Sequence, residues 1–166
     1  MSSTPETAAE PPLRREDMTP MEHLQALQAR KMIANPMAET VGWHYADLAP
    51  GKVRLTATPG PHLYNAFTLH GGTIAALLDA AMSASIRTLL TRPARTPTTE
   101  LKITYIAPVT AESGELSIHA ESLYQQGSLG YAQGKVVGAD GTVYALGSAS
   151  FRVKLLEGGA KAVSDA

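Results

Sequence analysis

The sequence predicts an α+β domain in which an antiparallel sheet curls around one long helix, and three observations predict it. From Thr73 to Ile86 every side chain is apolar or small except Asp79, and a helix apolar on nearly all sides gains nothing from water on any face. The segments before and after it alternate apolar and polar residues with a period of two, the mark of half-buried strands. Short turn signals separate those segments, Ala49-Pro50-Gly51, Gln125-Gln126-Gly127 and Asp140-Gly141, so neighbouring strands pair antiparallel. One such helix among antiparallel strands can be buried only where the sheet wraps around it.

In chain order, residues 1 to about 17 are rich in Pro, Glu, Ser and Thr and are expected to be disordered. Thr19-Pro20-Met21-Glu22 reads as a helix start, with Thr at the cap, Pro in the first position and Glu in the third. The helix is expected over about 19–34, with Met21, Leu24, Leu27 and Met32 inward, His23 at its boundary and Asn35-Pro36 as its stop. Val41, Trp43 and Tyr45 alternate, the chain turns at Pro50-Gly51, and Val53, Leu55 and Ala57 alternate again as a hairpin. His44 is out of phase with the aromatic positions and is expected on the other side of the sheet, away from a site. The central helix follows, and a connector over 91–97 leads to Leu101, Ile103 and Tyr105, then to Leu116, Ile118 and Ala120. The runs 129–137 and 142–153 flank Asp140-Gly141 as a two-residue hairpin, and Gly127 and Gly130 read as turn residues. Residues 154–166 are expected to be a flexible tail, which leaves 18–153 as one domain.

Composition narrows the function. At 166 residues with 44% hydrophobic side chains the chain can build one core. A net charge of −1 without clusters gives no footprint for nucleic acid or an anionic membrane. With no cysteine, disulfides, thiol nucleophiles and thiolate metal sites are excluded. The five histidines are not spaced as ligand pairs, so no metal and no cofactor are expected. The first residues lack an apolar leader, and no stretch reaches the roughly 18 apolar residues of a membrane span, so a soluble cytoplasmic protein is expected.

Asp79 is the anomaly. An ionised carboxylate in an apolar helix costs several kcal/mol unless it is paired, hydrogen-bonded or opens on a cleft. Upstream, His70-Gly71-Gly72 places a glycine pair where the helix starts, so backbone can approach a ligand and unpaired N–H groups point outward. A place to hold a developing oxyanion and a lone carboxylate on one segment point to acyl transfer with a general base or a nucleophile. Blander readings stand beside this one. Asp79 can be a structural acid paired to Arg87 or to Ser83 one turn on, which is itself a candidate substrate contact. The glycines can serve close packing, with Gly72 also a candidate substrate contact, and His70 can bond only backbone.

Asn65, Leu69-His70-Gly71-Gly72, Ala76 and Asp79 resemble the core motif of the phenylacetate-degradation branch of the hotdog acyl-CoA thioesterases, and Thr98-Thr99-Glu100-Leu101-Lys102-Ile103-Thr104-Tyr105 is similar to the strand after their helix. The resemblance covers roughly 39–153. It implies that Asp79 is the catalytic carboxylate, that the Gly71 N–H polarises the thioester carbonyl, that His70 and Asn65 help at the entrance, and that the Thr98 hydroxyl orients water beside Asp79. The family asparagine stands six residues before the histidine, whereas Asn65 stands five before His70, with Tyr64 at six. An acyl-coenzyme A substrate brings phosphates that Arg87, Arg92, Arg95 or Lys102 could meet. A hotdog dehydratase or hydratase and a non-catalytic acyl-binding or assembly protein are the alternatives.

One expectation follows from length alone. Gly71 and Asp79 are eight residues apart, about 12 Å along a helix, whereas reacting atoms must come within roughly 3 Å. A second copy must then supply the acid, in a homodimer with shared sites, which the resemblance extends to a dimer of dimers.

Overall fold

The computed structural model describes residues 17–32 and 35–156. The expected disorder of 1–17 and the end of the tail therefore lie almost wholly outside the described residues. Helix α1, Pro20–Gln28, opens with the expected capping box: Thr19 Oγ1 accepts from the Glu22 N–H at 3.3 Å, and the Glu22 carboxylate accepts from the Thr19 N–H at 2.7 Å. It stops before 34. Lys31 N–H reaches back to the Ala26 carbonyl, Arg30 N–H to that of Leu27, and Arg30 sits at φ 54°. That is a Schellman closure made with arginine where glycine is usual, and it leaves Met32 beyond the helix.

Asn35-Pro36 begins a helix instead of ending one. In α2, Pro36–Val41, the Asn35 side chain accepts from the Ala38 N–H at 2.8 Å and proline takes the first position. Val41 is thus helical, Gly42 closes the helix at φ 79°, and strand β1 begins only at Trp43. β1 (Trp43–Ala49) and β2 (Lys52–Ala57) form the expected hairpin, with Ala49 opposite Lys52. A small hairpin, β3 (Tyr64–Asn65) and β4 (Thr68–Leu69), leads into α3, Gly71–Arg87. Then come β5 (Ala94–Arg95), β6 (Thr98–Tyr105), β7 (Leu116–Gln126), β8 (Leu129–Gly138), β9 (Val143–Arg152) and β10 (Lys154–Leu155). The main sheet runs β1-β2-β7-β8-β9-β6, antiparallel throughout.

Two local expectations change here. The β8–β9 connection is longer than a two-residue turn, because the Gly138 N–H bonds the Thr142 carbonyl and Gly141 occupies φ 85° inside that loop. The tail does not loosen at 154: Lys154 and Leu155 pair with Arg95 and Ala94.

The sheet wraps α3 on one side. Leu77, Leu78, Ala81, Met82 and Ile86 are fully buried against Leu55, Leu116, Ile118, Val136, Ala145 and Ala149. Glycines in the strands let the helix lie this close. Cβ atoms added at Gly134 would stand 3.0 Å from the His119 carbonyl oxygen and 3.2 Å from Leu78, and one at Gly130 would stand 2.9 Å from Ile86. Gly130 is therefore a packing residue inside β8, and only Gly127 is the turn residue. Gly134→Val is expected to destabilise the protein by about 3 kcal/mol or more, since both a backbone carbonyl and a buried leucine would have to move. Urea unfolding reads this as a lower midpoint, and an unchanged midpoint would remove the close-packing role.

The other side of α3 is not covered. Ala75, Ala76, Asp79, Ala80, Ser83 and Arg87 remain half-buried and form one stripe of mostly small side chains. The helix expected to be buried all round is buried over the sheet and open along this stripe, so Asp79 is half-buried in a single chain.

Candidate active site

Asp79 and Thr98 meet. The Thr98 hydroxyl donates to Asp79 Oδ1 at 2.7 Å, fixing the carboxylate at the start of β6. One turn along the helix, the Ser83 and Thr96 hydroxyls stand 2.7 Å apart. Ser83 therefore partners Thr96 and not Asp79, and no ion pair joins Asp79 to Arg87 among the described residues. Arg87 Nη2 instead lies 2.8 Å from His23 Nδ1, which ties α3 to α1. Burial pushes the nearby Tyr45 hydroxyl up, opposed by the Arg87 charge.

At the other end of the same strand, the Tyr105 hydroxyl donates to the Gly71 carbonyl at 2.8 Å. The next N–H of that peptide, from Gly72, donates to His70 Nδ1 at 2.9 Å. The Gly71-Gly72 peptide is thus held at both ends, while the Gly71 N–H, one peptide earlier, has no acceptor among the described residues. An outward, unbonded N–H at the start of a helix, on a segment locked in place, is what stabilisation of an oxyanion requires. Because Nδ1 accepts, the neutral His70 ring carries its proton on Nε2. Its remaining nitrogen can donate to an oxygen but cannot remove a proton.

Asn65 ends β3 beside this helix start, and a cleft there brings Asn65 together with His62, His70, Gly72 and Thr73. Tyr64, which occupies the spacing of the family asparagine, donates weakly to the Thr110 carbonyl at 3.5 Å, and burial raises its pKa. His44 is exposed on β1, away from both ends of the site. Arg87 and Arg95 share a pocket, which Arg92 and Lys102 do not line. Among the described residues no group of three His, Asp or Glu side chains could hold a metal ion, and no helix is long and apolar enough to cross a membrane.

Within one chain, then, the structure brings together Asp79 with Thr98, and Gly71 with Gly72, His70 and Asn65, but it keeps the two groups at opposite ends of β6. Sequence reasoning missed Tyr105, which reads as one more inward position in an alternating strand.

A family model described as the thioesterase superfamily matches residues 68–145. No curated protein matches the sequence. Among solved structures, a thioesterase family protein from Silicibacter pomeroyi is 24% identical with a TM-score of 0.71, covering 82% of this chain and 99% of its own. The PaaI protein of the E. coli phenylacetic acid degradation operon is 20% identical with a TM-score of 0.68, covering 84% and 98%. A conserved protein from Pseudomonas aeruginosa is 26% identical with a TM-score of 0.67, covering 75% and 98%. With its single long helix wrapped by an antiparallel sheet, this chain has the hotdog fold of these structures, and its segment from β4 into β9 is similar to the thioesterase superfamily.

Proposed function

We propose that the protein hydrolyses the thioester of an acyl- or aryl-coenzyme A, releasing the free acid and the thiol, in sites shared between two copies of the chain. The single observation that carries this reading is the unbonded Gly71 N–H on a clamped glycine peptide, eight residues from a carboxylate held by a threonine hydroxyl. The Gly71 N–H receives the carbonyl oxygen as it gains charge. Asp79 takes a proton from water, which adds to the carbonyl carbon, or attacks that carbon itself to give a mixed anhydride that water then opens. In either case the C–S bond breaks and the sulfur leaves as thiolate to be protonated. Thr98 keeps one carboxylate oxygen oriented, His70 and Asn65 offer donors at the entrance, and Gly72 and Ser83 lie where the substrate passes.

Edge strand β6 supports the shared site. Its eight residues are exposed at nearly every position, Leu101 by 38% and Tyr105 by 52%, and its outer edge is bare. Pairing β6 antiparallel with its copy covers that edge and exchanges the strand ends, so Thr98 and Asp79 of one chain come next to Tyr105 and Gly71 of the other. The small side chains along the open stripe of α3 suit the close approach of a second helix.

The test is thiol release from a panel of aryl, short-chain and long-chain acyl-coenzyme A esters, followed with a thiol reagent. Turnover of at least one ester at a kcat/KM of about 10⁴ M⁻¹s⁻¹ or more is expected. A folded protein that binds these esters without cleaving any of them would leave a non-catalytic acyl-binding role, and addition of water to an enoyl ester would leave a hydratase.

A further inference from the structure

Two hydroxyls reach from β6 to α3. That of Thr98 holds the Asp79 carboxylate, and that of Tyr105 holds the Gly71 carbonyl at 2.8 Å. We infer that Tyr105 is a positioning residue, whose phenol aligns the Gly71 N–H with the substrate carbonyl oxygen and so sets the rate of the reaction without touching the substrate. Its effect on rate rests on the thioesterase reading, whereas its hold on the peptide does not.

The residues at the helix start need such a brace. The first N–H groups of a helix lack partners within it, and this end frays. Two adjacent glycines add the backbone freedom that other residues lack. An oxyanion donor, by contrast, must already point at the charge when the charge develops. From the His70 N–H to the Gly72 N–H every backbone group but one is tied. The His70 N–H donates to the Leu63 carbonyl at 2.9 Å, and the His70 carbonyl accepts from the Thr73 N–H at 2.9 Å. The Gly72 N–H donates to His70 Nδ1, and the Gly71 carbonyl takes the phenol. Each peptide is planar, so a tied carbonyl on either side of the Gly71 Cα fixes both rotations about it, and with them the direction of the N–H that is left over.

Strand parity places Tyr105 for this task. In the β6–β9 register it stands opposite the buried Ala145, as Ile103 stands opposite Gly147, so its ring leaves the sheet on the side of α3. The chain beyond it is pinned. The Ile106 and Ala107 N–H groups bond the Tyr144 carbonyl, and the Val109 carbonyl accepts from the Leu69 N–H at 2.8 Å, one residue before the helix cap His70. Glycine at 71 permits the close approach, since a Cβ there would stand 3.1 Å from the phenol oxygen and 3.2 Å from Cζ. With half of its ring exposed, Tyr105 gains little from burial, and the hydroxyl is the part that meets the helix start.

The test is Tyr105→Phe, which removes the hydroxyl and keeps the ring. For a thioester that the parent turns over, kcat is expected to fall about tenfold, the size of one hydrogen bond. KM is expected to stay unchanged, because donor alignment counts in the transition state and not in the bound ester. The variant should melt within a few degrees of the parent. Amide hydrogen exchange followed by NMR should quicken about tenfold at Gly72, while Leu78 in the middle of α3 keeps the parental rate. A folded variant with parental kcat overturns the inference. So does a loss of activity matched by loss of folded protein or by faster exchange along all of α3, since the hydroxyl is then a stability contact only. A loss carried by KM, or a fall in kcat with parental exchange at Gly72, puts the hydroxyl on the substrate and overturns it as well. If the parent cleaves no thioester, the thioesterase reading fails and exchange alone decides the positioning: local acceleration at Gly72 supports it, and an unchanged rate there overturns it.

Discussion

Asp79→Asn is expected to reduce thioester hydrolysis by 10² to 10⁴ or more, the range a positioned base contributes, while the protein melts within a few degrees of the parent. The amide is nearly isosteric, and its carbonyl oxygen can still accept from the Thr98 hydroxyl that now bonds Oδ1. What it lacks is the ability to take a proton from water or to attack as an anion. Circular dichroism melts alongside thiol release decide the matter. A variant that is folded and hydrolyses at near parental rate removes Asp79 from the chemistry. A variant that is inactive and more stable by about a kcal/mol marks the carboxylate as a group kept at the expense of stability.

Mixing two inactive proteins is expected to restore activity. Asp79→Ala lacks the acid, and Gly71→Leu blocks the helix start, where even a Cβ atom would stand 3.1 Å from the Tyr105 hydroxyl. In a dimer built on β6, a mixed pair carries one site with both defects and one with neither. After random exchange of equal amounts, about a quarter of the parental activity should return, since half the dimers are mixed and each holds one intact site in two. Either variant alone should stay inactive. With exchange established by mass spectrometry, no recovery would place the complete site in one chain. That outcome conflicts with α3 running unbroken from Gly71 to Arg87, which holds the two residues about 12 Å apart.

Much of this was legible before any coordinates. The carboxylate stood out because no other side chain from Thr73 to Ile86 is charged, and the cap at Thr19 was readable because the Thr-Pro-x-Glu pattern has one physical meaning. The misread positions share a cause in tertiary or ambiguous signals. Asn35-Pro36 serves equally to stop a helix or to start one, and only the Ala38 N–H bonded to Asn35 chooses between them. Gly130 looks like turn chemistry beside Gly127, and its real constraint is Ile86 pressing on the strand from a distant helix. Lys154 looked like tail because its partner strand is two residues long and carries no periodicity. The open stripe on α3 could not be seen from hydrophobicity, since alanines read as buried whether a sheet or another copy covers them.

In the proposed dimer the bare edge of β6 would tie catalysis to mass action. If two chains must close that edge before a site exists, each tenfold dilution lowers the stability of the assembled form by about 1.4 kcal/mol. Specific activity then falls with dilution before any chain unfolds, and the amount of protein made becomes a control on turnover per molecule as well as on total turnover.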